Sequence, residues 1–324
     1  MKRKGRRIIA AVAALAVVLA AALLFVGNYF VNYALSPAGD GGNREAALEV
    51  APAPGSVEET IAQNDASQQA LTDVWLAQAA SERVQVTSED GLTLVGTLYP
   101  QDGHRYAILT HGYRGSWEGM LPYAQRYAAA GYQTLLPSMR AHGGSEGDFI
   151  GMGWPDRRDV LRWIDLILSR DPQAQIVLHG VSMGAATVMM ASGEQLPQNV
   201  RAIVEDCGYT SVWDIFASEL KVRFSLPTFP ALDAANLVSR VRAGYDFKEA
   251  SALRQVTASK TPMLFIHGDR DDFVPVSMVY PLYEACNAEK ELFIVEGAGH
   301  GGARGVSGEA YWEKVFSFIS RYVE

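Results

Sequence analysis

Gly180-Val181-Ser182-Met183-Gly184 is the most informative stretch of this 324-residue sequence. An apolar run at 174–179 precedes it and is typical of a buried strand, and small, helix-tolerant residues follow at 185–192. A G-x-S-x-G turn between a strand and a helix is the context of a nucleophile elbow. Its glycines lack the Cβ atoms that would collide with the neighbouring strand and helix. Ser182 is therefore a candidate nucleophile, the alternative being a turn that only joins a strand to a helix.

Strand and helix patterns alternate along most of the chain. Besides the two elements around Ser182, the hydrophobic patterns predict a hairpin at 83–100, strands at 105–110, 133–136, 200–205, 261–267 and 291–296, and helices at 117–130, 154–169, 276–287 and 309–323. Such alternation predicts an α/β fold with a doubly wound, mostly parallel sheet and helices on both of its faces.

The alternation is interrupted between residues 208 and 256. Two or three helices are predicted there, at 211–222, at 231–241 and near 248–253. An insertion at the carboxyl edge of a parallel sheet lies over the mouth of the site, because the side chains that do chemistry stand at that edge. The aromatic residues of the insertion either pack against the domain or form a small helical lid with an acyl pocket: Trp213, Phe216, Phe224 and Phe229.

The amino terminus has the pattern of a membrane anchor. Five cations, at positions 2, 3, 4, 6 and 7, precede an uncharged run from Ile8 to about Tyr33. A helix of about 20 apolar residues crosses a bilayer, and cations before it keep the amino terminus in the cytoplasm. Residues 1–35 are therefore predicted to be a cytoplasmic basic tip and a transmembrane signal-anchor, in a single-pass protein of the cell membrane. A cleaved signal peptide is the alternative, although its apolar region is usually only about 7–15 residues long.

Residues 36–82 are predicted to connect this anchor to an extracytoplasmic domain. Residues 36–57 are rich in Pro, Gly, Ala and Glu, which is typical of a flexible tether. Residues 58–80 then have the partial apolar face of a leading helix that packs on the domain. The doubly wound domain spans residues 83–324, with the helical lid at about 208–256.

Charge and composition exclude some classes of partner. With 28 basic and 36 acidic residues the net charge is −8. Without the five amino-terminal cations, 23 basic residues face 36 acidic ones, so the exported part is near −13. This charge argues against nucleic acid as a partner. Cys207 and Cys286 are predicted to be buried thiols, with a disulfide as the alternative.

A serine nucleophile needs a base that takes its proton, and six histidines are available. In a doubly wound sheet, usable side chains lie on loops after the carboxyl ends of strands. His300 follows the final strand in the flexible stretch 297–302, so it is the candidate base. Structural roles are predicted for His111, His179 and His267. His142 is predicted to brace its glycine-rich loop, the alternative being an approach to the site, and His104 lies in an entry loop before its strand.

The base in turn needs a carboxylate that fixes its tautomer. The loop after the penultimate strand, 267–275, offers Asp269, Asp271 and Asp272 within four positions. Asp206, at the end of the strand that follows the elbow, is a fourth candidate. The residues by themselves leave all four open.

Five motifs, each after a predicted strand, identify a family resemblance. They are His111-Gly112-Tyr113, Arg140-Ala141-His142-Gly143-Gly144-Ser145, the turn around Ser182, the stretch 267–275 and Gly299-His300. In this order they resemble the α/β-hydrolase superfamily, and within it the serine hydrolases called serine aminopeptidase S33-like or BAAT/BEM46-like. The family's H-G-x-x-D-x-x-V-P pattern and its order of Ser, Asp and His imply the triad Ser182, Asp271 and His300. Ala141 departs from the family pattern, which usually has Gly there.

The resemblance also implies an oxyanion hole. Its two donors would be the backbone N–H of Met183, next to the nucleophile, and the backbone N–H of Tyr113. Gly112 would let this backbone approach the substrate closely. The Tyr113 side chain is also a candidate for packing against the lid, and the two roles are compatible.

Taken together, the sequence predicts a membrane-anchored extracytoplasmic serine hydrolase that cleaves carboxylic esters through an acyl-enzyme. A peptidase or amidase that uses the same triad is the first alternative, and an inactive binding or scaffold protein of the same fold is the second. The expected partners are a small-molecule acyl ester or peptide substrate and the membrane, through the amino-terminal helix. Neither a metal ion nor an organic cofactor is expected, because no Cys/His cluster has the spacing of metal ligands.

Overall fold

Within residues 2–39 and 53–324, which the computed structural model describes, eight strands form one sheet. The strands are β1 (Glu82–Thr87), β2 (Thr93–Tyr99), β3 (Arg105–Thr110), β4 (Gln133–Pro137), β5 (Gln175–Val181), β6 (Val200–Asp206), β7 (Met263–Gly268) and β8 (Lys290–Val295). Most of the predicted tether, residues 40–52, lies outside the described residues.

Helices precede the sheet and connect its strands. They are α1 (Lys2–Leu35), α2 (Val57–Leu76), α3 (Leu121–Ala129), α4 (Asp156–Arg170), α5 (Met183–Ser192), α6 (Val212–Phe224), α7 (Ala231–Arg242), α8 (Ala252–Val256), α9 (Val279–Ala285), α10 (Ala303–Ser307) and α11 (Glu309–Ile319). Short 3₁₀ turns at Trp117–Met120 and Val276–Met278 begin two of the predicted helices.

The sheet has the order β1-β2-β4-β3-β5-β6-β7-β8. β1 pairs with β2 and β2 with β4 in antiparallel fashion, whereas the remaining five pairings are parallel. The predicted α/β class with a mostly parallel sheet is thereby confirmed. The parallel pairings bring the loops after β3, β5, β7 and β8 to one edge of the sheet.

Two buried clusters cover the two faces of the sheet, because alternate residues of a strand point to opposite sides. Ile176 and Leu178 of β5 belong to one cluster, which α4, α5, α8 and α9 complete. Val177 belongs to the other, which α3 and α11 complete. β5 is therefore buried on both faces, and the turn that follows it has a fixed position.

The amino-terminal helix α1 has an exposed part and a buried part. Residues 8–25 are exposed, whereas Val31 and Leu35 are fully buried. At the contact between α1 and α7, a Cβ on Gly27 would overlap with the carbonyl oxygen of Ala234, so the two backbones approach closely. α1 is long and apolar enough to cross a membrane, and its last turns pack on the domain that contains the sheet.

The interruption after β6 contains α6 and α7, which we call the lid. Both helices span nearly the residue ranges predicted for them, and α7 packs against α1. The third predicted helix begins at Ala252 as α8, and it packs against α5 and α9 beside the sheet. The leading helix α2 packs on α3 and α10, with its buried Gln68 donating a hydrogen bond to Gln125 (2.9 Å).

Glu205, at the end of β6, is a fully buried carboxyl group. One of its oxygens accepts a hydrogen bond from the N–H of Gly208 (3.0 Å), and the other has no hydrogen-bond partner among the described residues. Burial raises the pKa of Glu205 from its usual value of 4.5 to about 8. Between these two pH values the folded chain holds a proton that the unfolded chain has released.

The stability contributed by this proton is lost as the pH rises from about 4.5 through about 8. We expect Glu205→Gln to reduce the loss, because the amide oxygen still accepts from Gly208 and the side chain no longer titrates. Thermal unfolding at pH 5 and pH 8.5 measures the effect, and the Tm of the wild type should fall further over this interval. The exposed Glu249→Gln is the control, and equal falls in wild type and Glu205→Gln would contradict the expectation.

Candidate active site

The turn between β5 and α5 holds Ser182 in a strained conformation. Its φ of 57° and ψ of −116° lie where residues with a Cβ are rarely found. A Cβ on Gly180 would overlap with the carbonyl oxygen of Gly184, and a Cβ on Gly184 would overlap with that of Thr110. The two glycines therefore allow β5, the turn, α5 and the end of β3 to pack in direct contact. Ser182 lies at the amino terminus of α5.

Three side chains from distant parts of the chain form a continuous hydrogen-bonded relay. His300, after β8, lies with Nε2 2.8 Å from Ser182 Oγ and with Nδ1 2.7 Å from Asp271 Oδ2. With the proton on Nδ1, His300 donates to Asp271 and accepts from the Ser182 hydroxyl. Such an arrangement can move a proton from a serine hydroxyl to an imidazole while a carboxylate stabilises the resulting imidazolium.

Asp271 is held by its own loop. Its Oδ1 accepts hydrogen bonds from the N–H groups of Phe273 (3.0 Å) and Val274 (2.8 Å), which leaves Oδ2 directed at His300. Burial by itself would raise the pKa of Asp271, but hydrogen bonds from His267 and His300 outweigh it and lower the pKa to about 2. The carboxyl group is therefore ionised throughout the neutral pH range.

The other candidate acids have different partners. Asp206 is fully buried and accepts a hydrogen bond from the hydroxyl of Tyr311 (2.8 Å), and burial raises its pKa to about 6. Asp269 accepts from the N–H of Gly297 (2.7 Å) and so connects its loop to the one that carries His300. Asp272 is exposed. Of the four candidates, the structure brings Asp271 into a hydrogen bond with the imidazole.

The loop after β3 lies directly beside Ser182. A Cβ on Gly112 would stand 3.3 Å from the Cβ of Ser182, so this position requires a residue without a side chain. In the part of the chain that the structure describes, the N–H groups of Tyr113 and Met183 donate to no other group. Both N–H groups are thus without an acceptor among the described residues, and they remain the predicted oxyanion donors.

Several remaining histidines brace the loops. Burial lowers the pKa of His111 to about 4, and its Nε2 accepts a hydrogen bond from the N–H of Met139 (3.1 Å). His142 Nε2 accepts from the N–H of Arg114 (3.2 Å). His179 lies below the sheet edge between the hydroxyls of Tyr127 and Tyr311, both at 3.1 Å. These contacts correspond to the structural roles that the sequence predicted.

Cys207, Asp271 and His300 offer three ligand atoms within 4.8 Å of one another. A metal ion needs the thiolate form of cysteine, but burial raises the pKa of Cys207 well above its usual value. Asp271 and His300 are already bonded to each other. The donor set therefore suits proton transfer better than metal binding. Cys207 and Cys286 are both free thiols.

A largely apolar pocket opens in front of Ser182. Phe216 and Phe224 of the lid line it, whereas Phe229 is 74% exposed and Trp213 packs outside it under the Lys248 ammonium group (3.9 Å from the ring). Two of the four aromatic residues that the sequence singled out therefore line this pocket.

The sequence did not indicate that α1 forms one wall of this pocket. Phe30, Tyr33 and Ala34 line it opposite the lid. The signal was the length of the uncharged run, which exceeds the roughly 20 residues that a bilayer requires and ends in aromatic residues.

Comparisons with known proteins identify the family that the chain resembles. The model of the prolyl oligopeptidase family matches residues 123–324. The uncharacterized protein YqkD of Bacillus subtilis is 28% identical over 68% of this chain and 72% of its own length. The bem46 protein of Schizosaccharomyces pombe is 24% identical over 65% of this chain and 68% of its own length. The predicted resemblance to BEM46-like α/β hydrolases is confirmed.

A solved structure shows the same fold. The esterase Pf2001 of Pyrococcus furiosus superimposes with a TM-score of 0.62 at 24% identity, covering 76% of this chain and 94% of the esterase.

Proposed function

The chain belongs to the prolyl oligopeptidase family of α/β hydrolases, and from this premise we propose that it is a serine hydrolase of carboxylic esters. The observation that carries the proposal is the relay from Ser182 through His300 to Asp271, with both hydrogen bonds below 3 Å. Ser182 is the nucleophile, His300 the general base and acid, and Asp271 the group that fixes the tautomer of His300.

The reaction proceeds in two halves. His300 takes the Ser182 proton at Nε2 while Oγ forms a bond to the acyl carbon, and the alcohol then leaves with that proton. In the second half, His300 takes a proton from water and the water oxygen bonds to the acyl carbon. The bond to Oγ breaks, Oγ regains its proton, and the carboxylic acid departs. The ester and water give an acid and an alcohol, so no oxidant or reductant is consumed.

The N–H groups of Tyr113 and Met183 stabilise the oxyanion in both halves. They stand on two separate elements that Gly112 and Gly184 allow to touch, so their positions are set by the fold before substrate binds. Removing one donor of this kind typically raises the barrier by about 3 kcal/mol.

Esters are favoured over amides by the leaving group and by the pocket. An alkoxide leaves more easily than an amide nitrogen, and a peptidase that recognises a free amino terminus needs a carboxylate to bind it. Glu219, a carboxylate in the lining, is hydrogen-bonded to Arg223 (2.5 Å). A peptidase or amidase on the same triad is the alternative, which the name of the family favours. A second alternative is a binding or scaffold protein of the same fold that no longer catalyses hydrolysis.

A fluorophosphonate probe tests the chemistry, because it reacts only with an activated serine. We expect the full chain to be labelled and Ser182→Ala not to be. Hydrolysis of p-nitrophenyl acetate should exceed that of aminoacyl p-nitroanilides. Absence of labelling in the wild type would favour the scaffold alternative, and faster cleavage of anilides would favour the peptidase.

Asp271→Asn should lower kcat by about 10⁴-fold, since an amide at this position stabilises the wrong tautomer of His300. Asp206→Asn is the matched control, because it changes another buried carboxyl group, whose partner is Tyr311. Its effect on kcat should be far smaller. Steady-state kinetics with p-nitrophenyl acetate provide the measurement, and comparable losses in the two variants would refute the assignment.

We propose further that residues 1–35 anchor the protein in the cell membrane. Residues 36–82 connect this anchor to a catalytic domain at 83–324, which lies outside the cytoplasm. The basic residues at the start of α1 support this orientation, and the exposed apolar surface of residues 8–25 supports the anchoring. The apolar pocket at Ser182 and the negative net charge argue against nucleic acid as a partner.

Alkaline phosphatase fused to the carboxyl terminus folds only outside the cytoplasm, so we expect the fusion to be active in cells. A fusion to a fluorescent protein that matures only in the cytoplasm serves as the control and should stay dark. The reverse pattern would place the catalytic domain in the cytoplasm.

A further inference from the structure

The pocket in front of Ser182 is built partly from the helix that the sequence marks as an anchor. The ring of Phe30 packs edge-to-face on that of Phe224 from the lid (5.2 Å between centroids), and the ring of Tyr33 does the same (5.4 Å). Because these residues line the pocket together with Ser182, the end of α1 contributes directly to the space that a substrate occupies.

Hydrogen bonds fix this wall to the loop that carries the oxyanion donor. The hydroxyl of Tyr113 donates to the carbonyl of Ala34 (2.6 Å), and Arg114 donates to the carbonyls of Ser36 (2.7 Å) and Pro37 (3.0 Å). The last carbonyls of a helix have no partner within the helix, so these contacts stabilise its end. The wall formed by α1 thus keeps a set position relative to Ser182.

The same helix sets where the pocket lies relative to a bilayer. Residues 8–26 are an apolar run of about 28 Å at 1.5 Å per residue, close to the roughly 30 Å of a bilayer's hydrocarbon core. Phe25 is 75% exposed, at the end of this run. Phe30 follows five residues later, which is about 7 Å further along the axis. The pocket wall therefore begins at the level of the lipid headgroups.

The lid presents further apolar surface beside α1. The exposed large side chains of the lid and its connecting segment are Val222, Leu226, Phe229, Leu237 and Val241, between 41% and 80% exposed. Exposed apolar clusters of this kind commonly mark membrane or protein contacts. Their position on the element that packs against α1 is consistent with a lid that rests on the membrane surface.

The lining also restricts the acyl group. Its charged members among the described residues are Glu219 and Arg223, which neutralise each other through their hydrogen bond. Apart from Ser182, the remaining lining residues are aliphatic or aromatic, with the thioether of Met152 among them. An acyl chain in this space must therefore be uncharged and gains most by being long, since each buried methylene contributes about 0.8 kcal/mol.

We propose that the substrates are esters of long, uncharged acyl chains dissolved in the membrane, and that the chain lies between the end of α1 and the lid. This inference rests on the proposed function, because it assigns the substrate class of the same Ser182 site. The anchor helix is accordingly a specificity-determining element as well as an attachment.

The test uses the full chain reconstituted in phosphatidylcholine vesicles, with p-nitrophenyl acetate and p-nitrophenyl dodecanoate as substrates. The measured quantity is the ratio of kcat/KM for dodecanoate to kcat/KM for acetate. Ala34→Trp, which fills the pocket from α1, should lower this ratio by about tenfold or more. Phe30→Ala should lower it in the same direction. Phe25→Ala, the same change on the exposed part of the helix, is the matched control and should leave the ratio unchanged.

The outcomes separate the two proposals. If the wild type hydrolyses acetate and is labelled by the fluorophosphonate, but no variant changes the ratio, the inference about α1 is overturned and the proposed function stands. If Ser182 is not labelled and neither ester is hydrolysed, the proposed function fails and the inference fails with it. Should Ala34→Trp lose labelling through misfolding, the ratio for Phe30→Ala decides between the same outcomes.

Discussion

The close approach of three backbone segments at the carboxyl end of β5 is the constraint on which the rest of the structure depends. Gly184 lies against the carbonyl of Thr110, and Gly180 lies against Gly184, with no room for a side chain at either position. The Thr110 hydroxyl donates to the carbonyl of Gly184 (3.1 Å), which fastens β3 to α5. Because of this contact, the strained Ser182 and the loop that begins at His111 stand side by side.

The elements around Ser182 were predictable because their signals are local. A buried strand, a glycine-bounded turn and a helix are each visible in a few consecutive residues. The acid was not predictable from the residues alone, since Asp269, Asp271 and Asp272 share one loop. In the structure the distinction comes from Phe273 and Val274, whose N–H groups hold one oxygen of Asp271 and leave the other to His300. Such turn geometry has no signature in composition.

The end of α1 illustrates a second kind of gap between sequence and structure. An apolar residue in a helix has the same pattern whether lipid or protein covers it, so Val31 could not be distinguished from Val18 by sequence. In the structure Val31 is fully buried and Val18 is 63% exposed. The sequence predicted a flexible tether at residues 36–57, most of which lies outside the described residues. The contacts of Tyr113 and Arg114 hold the end of α1 against the domain.

The continuity of α1 from residue 2 to residue 35 has a geometric consequence. Each residue added between Gly27 and Phe30 would rotate the preceding part of the helix by about 100° and displace it by about 1.5 Å. Gly27 would then turn away from Ala234, and a bulkier neighbour would meet α7 in its place. The spacing within this short segment is therefore as constrained as the spacing inside the domain core, although the segment belongs to the least complex part of the sequence.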